Sequence, residues 1–366
     1  MERDQALKFM NDLLKLMLQK NGSDLFITAN FPPAIKIDGK IVPQSNQQLT
    51  HTHTAELARV IMSDRQAQEF EATKECNFAI SPHGIGRFRV NAFIQQGQVG
   101  MVLRTIPSTL PTIASLDLPP VLREVVQNKR GLVIVVGATG SGKSTSLAAM
   151  IDERNETTYG HIVTIEDPIE VLHADRTAIV SQREVGADTA DLVDALRRVA
   201  RQDADVIFIS ELSDPLAVSE ALSVAAAGRL VIGVMNTLSV IDTLSWVIDR
   251  QEQHAQEHTR HLLARVLRGI ICQRLVDRAD GRGRVAAIES VTATPKVRDA
   301  IASGADSALI ERLMSEGDYH GMATFDQALF NLFSEDLVSL DDALERAAHP
   351  EDFRIAVQQA GLATLR

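Results

Sequence analysis

Apolar residues recur at helical spacing across residues 4–20, at Leu7, Met10, Leu14 and Met17, and predict an amphipathic helix with a core-facing stripe. Asn21 and Gly22, which both tolerate positive φ, are expected to end it. The period then falls to two. DLFITAN, PAIKIDGKIV, ATKECNFAI and GRFRVNAFIQQGQVGMVLRTI alternate as strands do, with Asp38-Gly39 as a turn, and one helical stretch over 54–71 interrupts them. Residues 1–106 therefore read as a small α+β domain. The segment PSTLPTIASLDLPP, 107–120, carries four prolines and reads as a linker.

Beyond the linker the alternation stops. GLVIVVG, GHIVTIED, DVIFISE and GRLVIGVMN are short apolar runs, with helical patterns near 143–156, 188–203 and 214–227. Strands buried on both faces and separated by helices predict a parallel α/β sheet, here over 121–290. From 291 to 366 the pattern is helical, with capping-box starts at Thr324…Gln327 and Ser339…Asp342.

Composition excludes several classes. A chain of 366 residues is too long for one typical core, and 45% hydrophobic with 23% charged residues is the balance of a folded soluble protein. The net charge of −11 opposes broad nucleic-acid binding, which needs positive charge to release counterions from phosphates, so no direct nucleic-acid partner is expected. Cys76 and Cys272 are too far apart in sequence for a CxxC zinc pair and too few for a disulfide framework, and read as reduced, buried thiols. No apolar run approaches the roughly 20 residues of a membrane span, and MERDQALKFM lacks the apolar stretch of a secretory signal. A cytoplasmic location is expected.

The chemistry begins at GATGSGKST, 137–145, which fits G-x-x-x-x-G-K-[ST] between a predicted strand and a predicted helix. Gly137, Gly140 and Gly142, with Ala138, Thr139 and Ser141 between them, let the backbone turn its N–H groups towards phosphate oxygens. Lys143 is expected to reach the β- and γ-phosphates, and Ser144, followed by Thr145, to bind Mg²⁺ at the positive end of the next helix. The motif predicts binding of ATP or GTP. Two predicted strands end in acids, Glu166 in HIVTIED and Glu211 in DVIFISE. The carboxyl ends of parallel strands gather on one edge, so both acids are expected beside the loop. Glu166 is assigned as the base that activates water and Glu211 as a carboxylate for the metal. Asp167, before Pro168, suits a turn cap better.

At these residues a family resemblance emerges. GATGSGKSTSLAAMID, HIVTIEDPIEVLH, SQREVGADT and ALRRVARQDADVI resemble the secretion-type motor ATPases, and within them the type IV pilus retraction ATPases, with a lean in GSDLFIT and TFDQALF towards the accessory branch. The resemblance covers nearly the whole chain. It implies a PAS-like N-terminal domain, a RecA-like ATPase domain with C-terminal helices, and a homohexamer that hydrolyses ATP with Mg²⁺. The ring would act on an inner-membrane platform protein at the cytoplasmic face of the membrane, alone or beside a second retraction ATPase. It also assigns Lys143 and Ser144 to the Walker A pair, Glu166 to the catalytic glutamate and Glu211 to the Walker B glutamate, which meets the metal directly or through water. Arg87, Arg89 and Arg104 match arginines that approach the phosphates across a moving interface. Pilus assembly and type II secretion ATPases carry a tetracysteine zinc site that two distant cysteines cannot build, so no zinc is expected.

The chain departs from the family where the rate is set. Gly-Glu-Met/Ile-Arg becomes Ser210-Glu211-Leu212-Ser213, and the two His-box histidines become Arg229 and Asn236. Asparagine can donate a hydrogen bond but cannot carry charge or relay a proton. Weakened turnover is expected, and three functions stay open: an accessory retraction motor, a nucleotide-binding structural subunit, and a motor for secretion or DNA uptake. His254, His258 and His261 fall at i, i+4 and i+7 of a predicted helix, but among glutamines and glutamates they read as a solvated face rather than a metal site.

Overall fold

The computed structural model describes residues 2–37, 39–106 and 110–362; Asp38 of the expected turn and linker residues 107–109 lie outside them. The chain divides into two units, Met1–Thr109 with Pro168–Leu172, and Leu110–Asp167 with His173–Arg366.

In the first unit the alternating segments become β1 (Asp24–Ile27), β2 (Ala34–Ile37), β3 (Lys40–Pro43), β4 (Glu75–Ile80), β5 (Arg87–Gln95) and β6 (Gln98–Ile106). They form an antiparallel sheet in the order β3-β2-β1-β6-β5-β4. Along β5, Phe88, Val90 and Ala92 are buried while Arg87, Arg89 and Asn91 keep partial exposure on the other face. The buried face packs against the helix Arg3–Gln19 through Ala6, Met10, Leu13, Leu14 and Met17. The expected stripe is rotated: Leu7 is 42% exposed, and Ala6 and Leu13 complete the buried face. At the helix end Asn21 takes φ 52°, whereas Gly22 is needed for space. A Cβ there would lie 2.3 Å from Ile35.

The helix predicted over 54–71 is two, His51–Ile61 and Asp64–Thr73, separated at Met62 and Ser63, both extended. Ser63 Oγ accepts from the Gln66 N–H, and Gln66 Oε1 accepts from the Ser63 N–H. This capping box satisfies two donors at a new helix start. Ser63→Ala is expected to cost about 1 kcal/mol, read as a lower urea midpoint for the first unit.

The second unit holds β7 (Gly131–Val136), β8 (Gly160–Glu166), β9 (Ala178–Glu184), β10 (Val206–Ile209), β11 (Leu230–Met235), β12 (Leu267–Asp277) and β13 (Arg284–Thr292), in the order β13-β12-β7-β11-β10-β8-β9. All pairs are parallel except β12 with β13. β7 sends Leu132, Ile134 and Val136 into one core and Val133 and Val135 into another. The helix Lys143–Thr157 packs on the second core; Leu192–Val199, Pro215–Ala226, Val240–Asp249 and Gln256–Val266 pack on the first. The pattern predicted four of these strands. β9 is half polar because it is an edge strand, and β12 follows Val266 with no turn residue to mark the change from helix.

Past β13 the chain is helical: Pro295–Ser303, Ser307–Ser315, Phe325–Ser334, Leu340–Arg346 and Pro350–Gln359. The last three enclose Leu329, Phe333 and Phe353 against Val276 and Val285. The Thr324…Gln327 capping box is complete. Ser339 forms only half of one: its oxygen accepts from the Asp342 N–H, and its hydroxyl donates to the Asp342 carboxylate at 2.5 Å.

Candidate nucleotide-binding site

β7 ends at Val136, and residues 137–142 turn the chain into the helix that starts at Lys143. Gly137, Gly140 and Gly142 have φ of 147°, 82° and 86°. Two of them are also held by β12: a Cβ on Gly137 would lie 2.4 Å from the Gln273 carbonyl oxygen, and one on Gly142 would lie 2.8 Å from Gln273 Nε2. Gln273 is buried, donates from Nε2 to the Ser141 carbonyl at 2.9 Å and accepts at Oε1 from the Ser146 hydroxyl at 2.7 Å. A carbonyl can only accept, so the amide orientation is fixed.

Lys143 is buried, and its Nζ donates to the carbonyls of Gly137 at 2.5 Å and Ala138 at 2.9 Å. The ammonium thus lies inside the loop that a phosphate would occupy. Ser141 Oγ is buried without a hydrogen-bond partner among the described residues, while Ala138, Thr139, Gly140, Ser144 and Thr145 are exposed. An orphan hydroxyl, a buried ammonium and the N-terminus of a 15-residue helix fit the phosphates of a nucleotide. The exposed Ser144 hydroxyl and the exposed Glu211 carboxylate are oxygen donors of the kind a magnesium ion requires.

The two acids differ in their surroundings. Glu166 ends β8 and is buried, with Oε1 accepting from Thr164 Oγ1 at 2.6 Å and from Gln182 Nε2 at 2.9 Å. Glu211 follows β10, is exposed, and accepts at Oε1 from Asn236 Nδ2 at 3.4 Å, across from the end of β11. Ser210 accepts from the Asp167 N–H at 3.1 Å, a bond that the family's glycine could not make through a side chain. Beside these strand ends lies a cavity of about 450 Å³ lined by Asp167, Asp191, Ser210, Glu211, Ser213 and Asp214, with no basic residue on its walls among the described residues.

Not every expected residue joins this edge. Arg229 precedes β11, where its carbonyl accepts from the Gly131 N–H at the start of β7, so it stands at the opposite edge of the sheet from the loop. Arg87, Arg89 and Arg104 belong to the first unit, with Arg89 directly opposite Arg104 across β5 and β6. Arg104 Nε bonds the buried Asp24 carboxylate at 2.8 Å, Arg89 lies 3.6 Å from Glu170, and Arg87 donates to Ser81 at 3.4 Å. His254 precedes the helix Gln256–Val266 that carries His258 and His261, so the three do not share a helix; all are exposed.

Residues 5–316 match the Type II/IV secretion system protein family. The chain belongs to that family. Within it, the chain is 43% identical over 348 residues to the type IV pilus ATPase PilU of Pseudomonas aeruginosa, a match covering 94% of this chain and 90% of that protein. It is 39% identical over 344 residues to the type IV pilus retraction ATPase PilT of the same organism, covering 94% and 99%. A crystal structure of the pilus retraction motor PilT with bound ADP superposes with a TM-score of 0.85 at 38% identity, over 93% of this chain and 98% of that one.

Gln182, Thr164 and Gln273 were not legible as site residues. Gln273 touches the loop from more than a hundred residues away. Gln182 becomes a neighbour of Glu166 only through the pairing of β8 with β9.

Proposed function

We propose that this protein is an ATP-hydrolysing motor of type IV pilus retraction, belonging to the accessory kind and turning over slowly. The observation that carries the reading is the buried Lys143 within an intact phosphate loop, in a chain 43% identical to a pilus ATPase over almost its full length. The loop N–H groups and Lys143 bind the β- and γ-phosphates, and the nucleotide is ATP. Ser144 and Glu211 hold magnesium, which when bound neutralises phosphate charge. Glu166 takes the proton of the attacking water. In a ring of six copies, Arg87, Arg89 and Arg104 approach the phosphates from a neighbouring subunit and offset charge on the transferring group. Arg104 must leave Asp24 to do so. The ring works at the cytoplasmic face of the inner membrane, on the platform protein and beside a second retraction ATPase. Among the described residues no helix is long and apolar enough to cross a membrane.

A second reading, a ring that binds nucleotide and hydrolyses little, draws on one observation. Asn236 gives Glu211 a long hydrogen bond from an uncharged donor, and with Ser213 in place the adjoining acidic cavity has no cation on its walls among the described residues. Purified protein carrying Asn236→His and Ser213→Arg is expected to release phosphate at least about tenfold faster than the parent, the smaller end of the gain from a group acting on the transition state. An unchanged rate would refute the account of slow turnover, and a parent without turnover would leave only the binding role.

A further inference from the structure

Gln182 stands directly opposite Thr164 in the parallel pairing of β8 with β9, and Thr164 shares a strand face with Glu166, two residues on. Its side chain is engaged at both ends. Oε1 accepts from the His173 N–H at 2.8 Å, and Nε2 donates to Glu166 Oε1 at 2.9 Å. A backbone N–H can only donate, so the amide oxygen must face His173 and the amino group must face Glu166. His173 is where the chain re-enters the second unit after Pro168–Leu172. One amide therefore ties the glutamate before that excursion to the residue after it.

We propose that Gln182 is a positioning residue for ATP hydrolysis, fixing the Glu166 carboxylate against Thr164 and His173 without touching the nucleotide. The proposal rests on the reading of Glu166 as the base. Two donors converge on one carboxylate oxygen, which restricts rotation of the group. Both are neutral. A lysine or arginine at 182 would also hold the carboxylate but would add a positive charge that disfavours its protonation, whereas an amide orients it without adding charge. A base held loosely loses rate through misplacement rather than through binding.

The test compares the full-length parent, Gln182→Ala, Gln182→Glu and Glu166→Gln for ATP turnover across pH, KM for ATP, ADP affinity and melting temperature. Gln182→Ala is expected to lower kcat about tenfold or more, with KM and ADP affinity within about twofold. Gln182→Glu sets a second carboxylate against Glu166. Like charges raise the pKa of the pair, so the base ionises only at higher pH and the acid limb of the kcat profile moves up by about one pH unit. That displacement would not follow from a merely structural role. Parental kcat and pH profile in both Gln182 variants, with Glu166→Gln inactive, would overturn this inference alone. Equal losses in turnover, ADP affinity and melting temperature would also overturn it. Turnover retained by Glu166→Gln would overturn the reading beneath it as well.

Discussion

Lys143→Ala is expected to weaken ATP binding by about tenfold to 150-fold and to remove measurable turnover. The range corresponds to about 1.5–3 kcal/mol, the worth of a hydrogen bond to a charged group. Nζ already lies within the loop, on the carbonyls of Gly137 and Ala138, so the charge is present before a phosphate arrives and needs only to exchange partners. Its loss leaves the glycine turn and its Gln273 clamp in place, since those bonds run to Ser141 and Ser146. The variant should therefore fold. Isothermal titration with ATP or ADP, beside a melting curve, checks both halves. Parental affinity in the alanine variant would mean that the loop does not hold the phosphates through this lysine.

Glu166→Gln is expected to do the opposite: to keep nucleotide affinity and lower turnover by about a hundredfold to ten-thousandfold, the usual worth of a positioned base. The amide preserves the shape of the side chain and an oxygen for the Thr164 hydroxyl and the Gln182 amide, but it cannot take a proton. The effect should fall on kcat with KM unchanged, the signature of an interaction made only in the transition state. Phosphate release under saturating ATP measures it. A fall of less than threefold would assign the proton transfer to another group.

Much of this site was legible because the chemistry is local. The phosphate loop is nine consecutive residues, and the ends of short apolar strands had to gather on one edge once the sheet was parallel. Glu166, Glu211 and Asn236 reached that edge for this reason. Arg229 shows where the logic fails: its neighbour Leu230 begins the strand that Asn236 follows, so a strand's length separates two positions assigned to one box. The strands β9, β12 and β13 were harder to see, and so were Gln182 and Gln273, which they carry. β9 is half polar, and β12, which continues straight from a helix, has no turn residue to announce it. The break at Ser63 was written in the sequence as Ser-x-x-Gln, but apolar periodicity ran through it.

In the proposed reading Ser213 and Asn236 bear on rate, whereas the loop and Glu166 bear on whether hydrolysis occurs at all. Glu211 keeps a hydrogen bond from Asn236, so its carboxylate is oriented although no cation among the described residues lines the cavity beside it. A slow motor and a nucleotide-holding partner differ in this one respect. Steady-state phosphate release by the purified parent, set against Glu166→Gln with ATP binding titrated on the same samples, separates them most directly. The account predicts equal binding and a parental rate about a hundredfold or more above the variant. Equal rates with equal binding would contradict it.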